Sequence, residues 1–149
     1  MTVKGSGMDP NKTEQTLVLI KPDALLNSLT GYMLSTLSEF HTGLRFAAAK
    51  IVSVHKALAE EHYAEHQGKP FFGGLVGFIT SGPVVAMVLE GENAIAGWRG
   101  MMGATNPADA APGTIRGDYA TSIDENVAHG SDAPATATRE IGLFFPELD

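Results

Sequence analysis

The segment TLVLIKPDA, residues 16–24, sets the frame for the rest of the chain. TLVLIK is β-rich and mostly apolar, and it reads as a buried first strand. Pro22 has no N–H to give to a ladder, so the strand stops there and KPD opens a loop. Working outward, Thr30 caps a helix expected to run to about His41, with Met33, Leu34, Leu37 and Phe40 as its apolar stripe and Gly43 at its exit. LRFAAAKIVSV, residues 44–54, reads as a long second strand, and residues 57–67 as a helix. Pro70 separates that helix from a second, apolar one in FFGGLVGFIT. Pro83 admits a third strand over 84–89, and a helix follows from about Glu92 to Met102.

Residues 103–125 break the rhythm. They hold Pro107, Pro112, Gly103, Gly113 and Gly117 with weak periodicity, and a loop this long in one domain is usually functional or disordered. Asn126–His129 then reads as a short last strand. Ser131 or Asp132 caps a closing helix whose Ala137, Ile141, Phe144 and Phe145 share one face. The order β-α-β-(αα)-β-α-β-α predicts an α+β fold: a ferredoxin-like split βαβ sandwich with a four-stranded antiparallel sheet and helical insertions. One domain over 13–149 is expected, with 1–12 (MTVKGSGMDPNK) as a flexible arm or cloning remnant.

The composition narrows the functional classes. A chain of 149 residues with 44% hydrophobic residues and mean hydropathy near zero is globular rather than disordered. A net charge of −7 argues against general binding to nucleic acid or a membrane surface, which favour basic faces. The absence of cysteine excludes disulfides, thiolate-bound zinc and thiol catalysis, and it fits a reducing, cytoplasmic setting. Apolar runs such as VVAMVL, 84–89, are far too short to span a bilayer.

Three chemistries can be weighed from the residues. Neither glycine-loop phosphate signature occurs, so a phosphate site would rest on side chains. Only four arginines are available, Arg45, Arg99, Arg116 and Arg139; Arg116 sits inside the long loop and Arg99 in the helix before it. Taken singly, each reads as a surface arginine. HYAEH, residues 62–66, fits the inverted zinc-protease pattern H-x-x-E-H, which would put His62 and His66 one turn apart. With three fixed residues the pattern arises often by chance, and a polar helix face is the plainer reading. NVAHGSDAP, 126–134, sets His129 between an apolar pair and a Gly-Ser-Asp turn. A neutral imidazole aimed from a strand is a good nucleophile toward phosphorus, although a lone histidine there is more often a hydrogen-bonded core residue.

Read together, the motifs carry more. NVAHGSD stands in order with LVLIKPDA, HYAEH, KPFFGGLV, SGPVVAMVLEG, GATNPADAAPGTIRGDYA and REIGLFF, and the chain from about Thr13 to Phe145 resembles the nucleoside diphosphate kinases. The resemblance implies His129 as the phosphorylated nucleophile, with Lys21, Arg99, Thr105 and Arg116 on the nucleotide phosphates. It implies Tyr63 and Glu140 as residues that position the histidine, Asn126 and Lys21 at the sugar hydroxyls, Phe71 and Ile123 on the two faces of the base, and Ser131 in the active-site turn. It makes HYAEH part of a nucleotide site rather than a zinc site, so no protein-held metal is expected. It further implies Mg2+ carried mainly by the nucleotide phosphates, ATP and other nucleoside di- and triphosphates as partners, and a tetramer or hexamer. Ala24, Ala104 and Ala133 depart from residues frequent in the family, and none of the three is a transferring group. The alternative on the same fold is a nucleotide-binding or regulatory module without catalysis.

Overall fold

Alternation along β1 (Glu14–Ile20) sorts the interior into two cores. Leu17 and Leu19 point into one cluster, and Val18 and Ile20 into another; all four are fully buried. A strand buried on both faces has no polar side to show, which is why TLVLI carries no polar alternation. The computed structural model describes residues 13–26, 28–36, 43–123 and 125–148. Leu37, Phe40 and the segment 1–12 lie outside them.

Among the described residues, four antiparallel strands lie in the order β2-β3-β1-β4, with β2 at Arg45–Ser53, β3 at Pro83–Gly91 and β4 at Ala128–Gly130. This is the expected split βαβ sheet. Helices cover both of its faces. One face meets α3 (Lys56–His62), α4 (Phe72–Ile79) and α7 (Pro134–Phe144), which contribute Ala59, Val76, Ile79 and Phe144. The other meets α1 (Pro22–Leu26), α2 (Thr30–Thr36), α5 (Ala94–Met102) and α6 (Ile115–Tyr119), with Ala24, Met33, Trp98, Met102 and Ile115.

Several elements depart from the sequence reading for local reasons. Pro22 ends β1 as expected but then serves as the first residue of α1, where a missing N–H costs nothing. The stripe on α2 is narrower than expected, because Met33 is buried while Leu34 is exposed. The helix placed at 57–67 is interrupted at Tyr63: α3 ends at His62 and a separate 3-10 turn spans Ala64–His66. Neither Ser131 nor Asp132 caps α7. Ala133 occupies that position without a side-chain bond, Pro134 opens the helix, and the Ser131 hydroxyl is engaged elsewhere. The long loop is more ordered than its composition suggested, holding a 3-10 turn at Pro107–Asp109, capped by the Asn106 side chain, and α6, capped by Thr114.

One carboxylate ties three strands together. Glu90 on β3 stands opposite Gln15 of β1 and Arg45 of β2. It accepts Gln15 Nε2 at 2.8 Å and pairs with the Arg45 guanidinium, whose Nε lies at 2.7 Å. Burial pushes the Glu90 carboxyl up, but the bonds from Gln15 and Arg45 and the charge on Arg45 outweigh it and hold the group below its usual range. A depressed carboxyl stabilises the fold above its unfolded value, about 4.3, and that contribution disappears as pH falls through the lower folded value. The melting-temperature gap between the wild type and Glu90→Gln should therefore be present at pH 7 and shrink below about pH 4. A gap that stays constant over that range would separate the carboxylate's charge from its effect on stability.

Candidate active site

The register of β4 aims His129. Its partner on β1 is Leu19, so its side chain emerges on the face covered by α3 and α7, while the neighbouring Ala128 belongs to the opposite core. Gly130 follows because the chain passes hard against α5: a Cβ there would lie 2.5 Å from Trp98 Cδ1. Trp98 Nε1 also donates to the His129 carbonyl at 3.0 Å, fixing the backbone under the ring.

Behind the imidazole stands Glu140. It shares the buried face of α7 with Ala137 and Phe144 and is 3% exposed, so its carboxylate sits where an apolar side chain would be expected. His129 Nε2 lies 3.0 Å from both Glu140 oxygens. Ser131 Oγ donates to Glu140 Oε1 at 2.7 Å and accepts from the Leu17 N–H at 3.0 Å, which fixes the carboxylate to β1. An imidazole that gives its Nε2 proton to a carboxylate keeps a lone pair on Nδ1.

The turn before His129 is held from three sides. Val127 adopts φ 65°, a left-handed conformation that is costly for a β-branched residue. Its N–H donates to Asp23 Oδ2 at 3.0 Å, and its carbonyl accepts from the Lys21 N–H at 2.9 Å. Burial raises the Asp23 carboxyl, partly offset by that N–H and by Lys21. Arg116, 5% exposed, spans three carbonyls: Nη2 to Ala128 at 2.8 Å, Nη1 to Gly103 at 3.2 Å and Nε to Asn126 at 3.3 Å. Burial and the charge of Arg99 lower Arg116 to about 10, so it remains charged at neutral pH. Lys21 Nζ donates to Asn126 Oδ1 at 2.8 Å, and Asn126 Nδ2 reaches the Thr105 carbonyl at 3.4 Å.

These residues border one cavity of about 500 Å³. Every site residue that the family resemblance implied lines it except Ser131, which sits behind it against Glu140. Lys21, Arg99 and Arg116 supply three cations in a protein of net charge −7. Phe71 and Ile123 also line it and remain 44% and 52% exposed, available to a ligand rather than consumed by a core. The other two arginines are structural: Arg45 pairs with Glu90, and Arg139 donates to the carbonyls of Glu61 and His62 at the end of α3.

Tyr63 lines the cavity together with His129 and Glu140. Its ring contacts are with His62, at 4.7 Å between centroids, and with His66, at 6.4 Å. Burial, with Glu140, raises its hydroxyl well above the usual value. The ring that meets His129 is His62, edge-on at 4.7 Å. His62 was visible only as half of a zinc pattern. His66 does not converge with it: His66 Nε2 lies 3.5 Å from Glu65, and its Nδ1 lies 3.3 Å from Lys69 Nζ. Burial, then His129, Lys21, Arg139 and His66, lower His62 well below the usual histidine value, so it is neutral at pH 7.

A ring nitrogen with a lone pair, in a cavity that three cations and an exposed aromatic also line, can hold a phosphorylated aromatic ligand and attack its phosphorus. Comparison with known proteins agrees. The sequence model of the family described as nucleoside diphosphate kinase matches residues 14–149. The nucleoside diphosphate kinase of Deinococcus radiodurans is 58% identical over 132 residues, covering 89% of this chain and 94% of that protein. That of Thermus thermophilus is 59% identical, covering 89% and 95%. The crystal structure of the Encephalitozoon cuniculi enzyme superposes with a TM-score of 0.85 at 39% identity, over 89% of this chain and 88% of that one. The structure of the Halobacterium salinarum enzyme, in complex with CDP, gives 0.84 at 49% identity, over 89% and 87%. The chain belongs to the nucleoside diphosphate kinase family, a family of phosphotransferases acting on nucleotides. No helix among the described residues is long and apolar enough to cross a membrane.

Proposed function

We propose that the protein moves the γ-phosphate of a nucleoside triphosphate, mainly ATP, to nucleoside diphosphates in two half-reactions through a phosphohistidine at His129. The observation that carries this reading is the carboxylate behind the ring: Glu140 engages Nε2, which assigns the reactive lone pair to Nδ1. In the first half-reaction Nδ1 attacks the γ-phosphorus, the bond to the bridging oxygen breaks, and the nucleoside diphosphate leaves with that electron pair. Glu140 stabilises the positive charge that develops on the ring. In the second, a terminal phosphate oxygen of another diphosphate attacks the same phosphorus, the N–P bond breaks, and the ring returns to neutral.

Lys21, Arg99 and Arg116, with Thr105 beside them, stabilise charge spread over the phosphoryl oxygens. Asn126, bonded to Lys21, is assigned with it to the sugar hydroxyls. Within the cavity the acidic residues are Glu65, Asp132 and Glu140, and Glu140 is committed to His129 and Ser131. The donors present therefore suit a Mg2+ that arrives on the nucleotide phosphates, where it shares in neutralising them, rather than one caged by carboxylates. The Halobacterium enzyme's complex with CDP supports a nucleoside diphosphate as ligand. We place the activity in the cytoplasm, where such nucleotides are kept.

The decisive experiment is incubation with γ-labelled ATP and Mg2+. Label on protein that is acid-labile and alkali-stable supports the phosphohistidine; its absence in folded protein would leave a binding module. Phe71 bears on specificity. Stacking reads the face that every base has and contributes roughly 1–3 kcal/mol, so Phe71→Ala should weaken purine and pyrimidine nucleotides by similar factors of about ten or more. Loss confined to one base would mean the pocket reads base edges. A homo-oligomer, tetramer or hexamer, is also part of this reading. Its support is β2, which ends the described sheet and leaves Ile51 75% and Phe46 37% exposed. Light scattering that returned a monomer at micromolar protein would overturn it.

A further inference from the structure

We propose that His62, His129 and Glu140 form a site for a divalent transition metal ion of the Zn2+ class, and that its occupancy silences phosphoryl transfer. Among the described residues these three form the group whose histidine and carboxylate atoms converge, all within 4.8 Å of one another. Metal bonds of about 2.0 Å place tetrahedral ligands about 3.3 Å apart. His129 Nε2 to Glu140 Oε2 is 3.0 Å, and His62 Nδ1 to Glu140 Oε2 is 3.6 Å, so both edges straddle that value.

A second observation points independently to a ligand. The side chain of His62 is 1% exposed, and its Nδ1 has no hydrogen-bond partner, since 3.6 Å to Glu140 is beyond bonding distance. A buried ring nitrogen left in this state is unusual. It is directed at the carboxylate oxygen that Ser131 does not hold, because the Ser131 hydroxyl takes Oε1. Ser131 then fixes the carboxylate from behind, as outer-shell groups do at metal sites. His129 borders the cavity, which provides a way in and a fourth position for water. Two imidazoles and one carboxylate suit Zn2+, Cu2+ or Ni2+, whereas Mg2+ prefers oxygen ligands throughout. The HYAEH pattern thus supplies one metal ligand, His62, joined by residues of β4 and α7 in place of His66.

The consequence rests on reading His129 as the nucleophile. A metal on Nε2 takes the lone pair there, and the ring proton moves to Nδ1. No proton is gained or lost overall, but the nitrogen facing the cavity no longer has electrons for phosphorus.

The test uses the nucleotide-free full chain, ZnCl2 alone as probe, and 15N-labelled histidine. Calorimetry should give one strong Zn2+ site per chain. The imidazole spectrum should show the His129 proton on Nε2 without metal and on Nδ1 with it. His62→Gln, checked for folding by circular dichroism, should weaken that site about tenfold or more. The proposal is overturned by the absence of a strong site, by binding that leaves the His129 tautomer unchanged, or by wild-type affinity in a folded His62→Gln. Phosphohistidine formation is assayed without zinc, so failure here leaves that reading intact. Failure of the phosphohistidine would in turn leave the affinity and the tautomer change measurable, removing only the inhibitory consequence.

Discussion

His129→Ala should lose protein-bound phosphate altogether and lower turnover by about ten-thousandfold or more, while the fold persists. The size follows from removing the group that forms the covalent intermediate, for which no neighbour can substitute. Ser131 is fully buried and bonded to Glu140, and His62 is 3% exposed with its ring edge-on behind His129. The backbone of residue 129 keeps its pairing with Leu19 and its bond from Trp98 in the variant. One thermodynamic cost is expected. Glu140 loses the His129 donor and becomes a buried carboxylate with Ser131 as its remaining hydrogen-bond partner, which costs about 1–3 kcal/mol and lowers the melting temperature by several degrees. Label that survives in the variant, or label that resists acid, would move the phosphorylation to another residue.

Local patterns in the sequence carry the fold well where one residue acts through its own neighbours. Pro22, Pro83 and the apolar run 16–20 place β1 and β3 within two residues, because a missing N–H and a buried strand leave direct marks. The long loop was harder to read. Its order comes from groups far apart in the chain: Arg116 gathers carbonyls from Gly103 and Ala128, and Asn106 and Thr114 cap turns too short to show periodicity. The covering of both sheet faces was likewise hidden. It needs α5 and α6 on the side opposite α7, a matter of crossover rather than composition.

The site divides along the same line. Glu140 has a signal in the residues themselves, a carboxylate on the apolar stripe of Ala137 and Phe144, and its partner then had to be sought elsewhere. Ser131 looked like a helix cap because serine before a helix usually is one; here a stronger acceptor, the Glu140 carboxylate, takes its hydroxyl. His62 left only a weak signal, one end of the HYAEH pattern. A histidine at the end of a helix among Ala and Glu reads as polar surface, and only the packing of α3 against β4 and α7 turns it inward against His129 and Phe144.

Arg116→Ala should reduce kcat/KM by about a hundredfold or more, and Arg116→Lys should recover only part of it. Loss of one charge-stabilising contact at a transferring group typically costs a few kcal/mol, which sets the hundredfold scale. The geometry adds to it. Arg116 ties the carbonyls of Gly103, Asn126 and Ala128 together, and these flank the positive-φ turn at Val127 from which His129 projects. Alanine removes the Arg116 donor from the buried Ala128 carbonyl as well as removing the charge, so the melting temperature should fall together with the rate. Lysine restores a positive charge, but its single ammonium cannot span three carbonyls in the fixed fork of a guanidinium. Arg99 donates to a single carbonyl, that of Gly130 at 3.4 Å, and so holds far less backbone. Arg99→Ala should therefore approach a similar rate loss with little change in stability. The two arginines can thus be told apart by measuring rate and melting temperature on the same preparations. Full recovery by Arg116→Lys would reduce Arg116 to a point charge, and wild-type turnover in Arg116→Ala would remove it from the phosphate site.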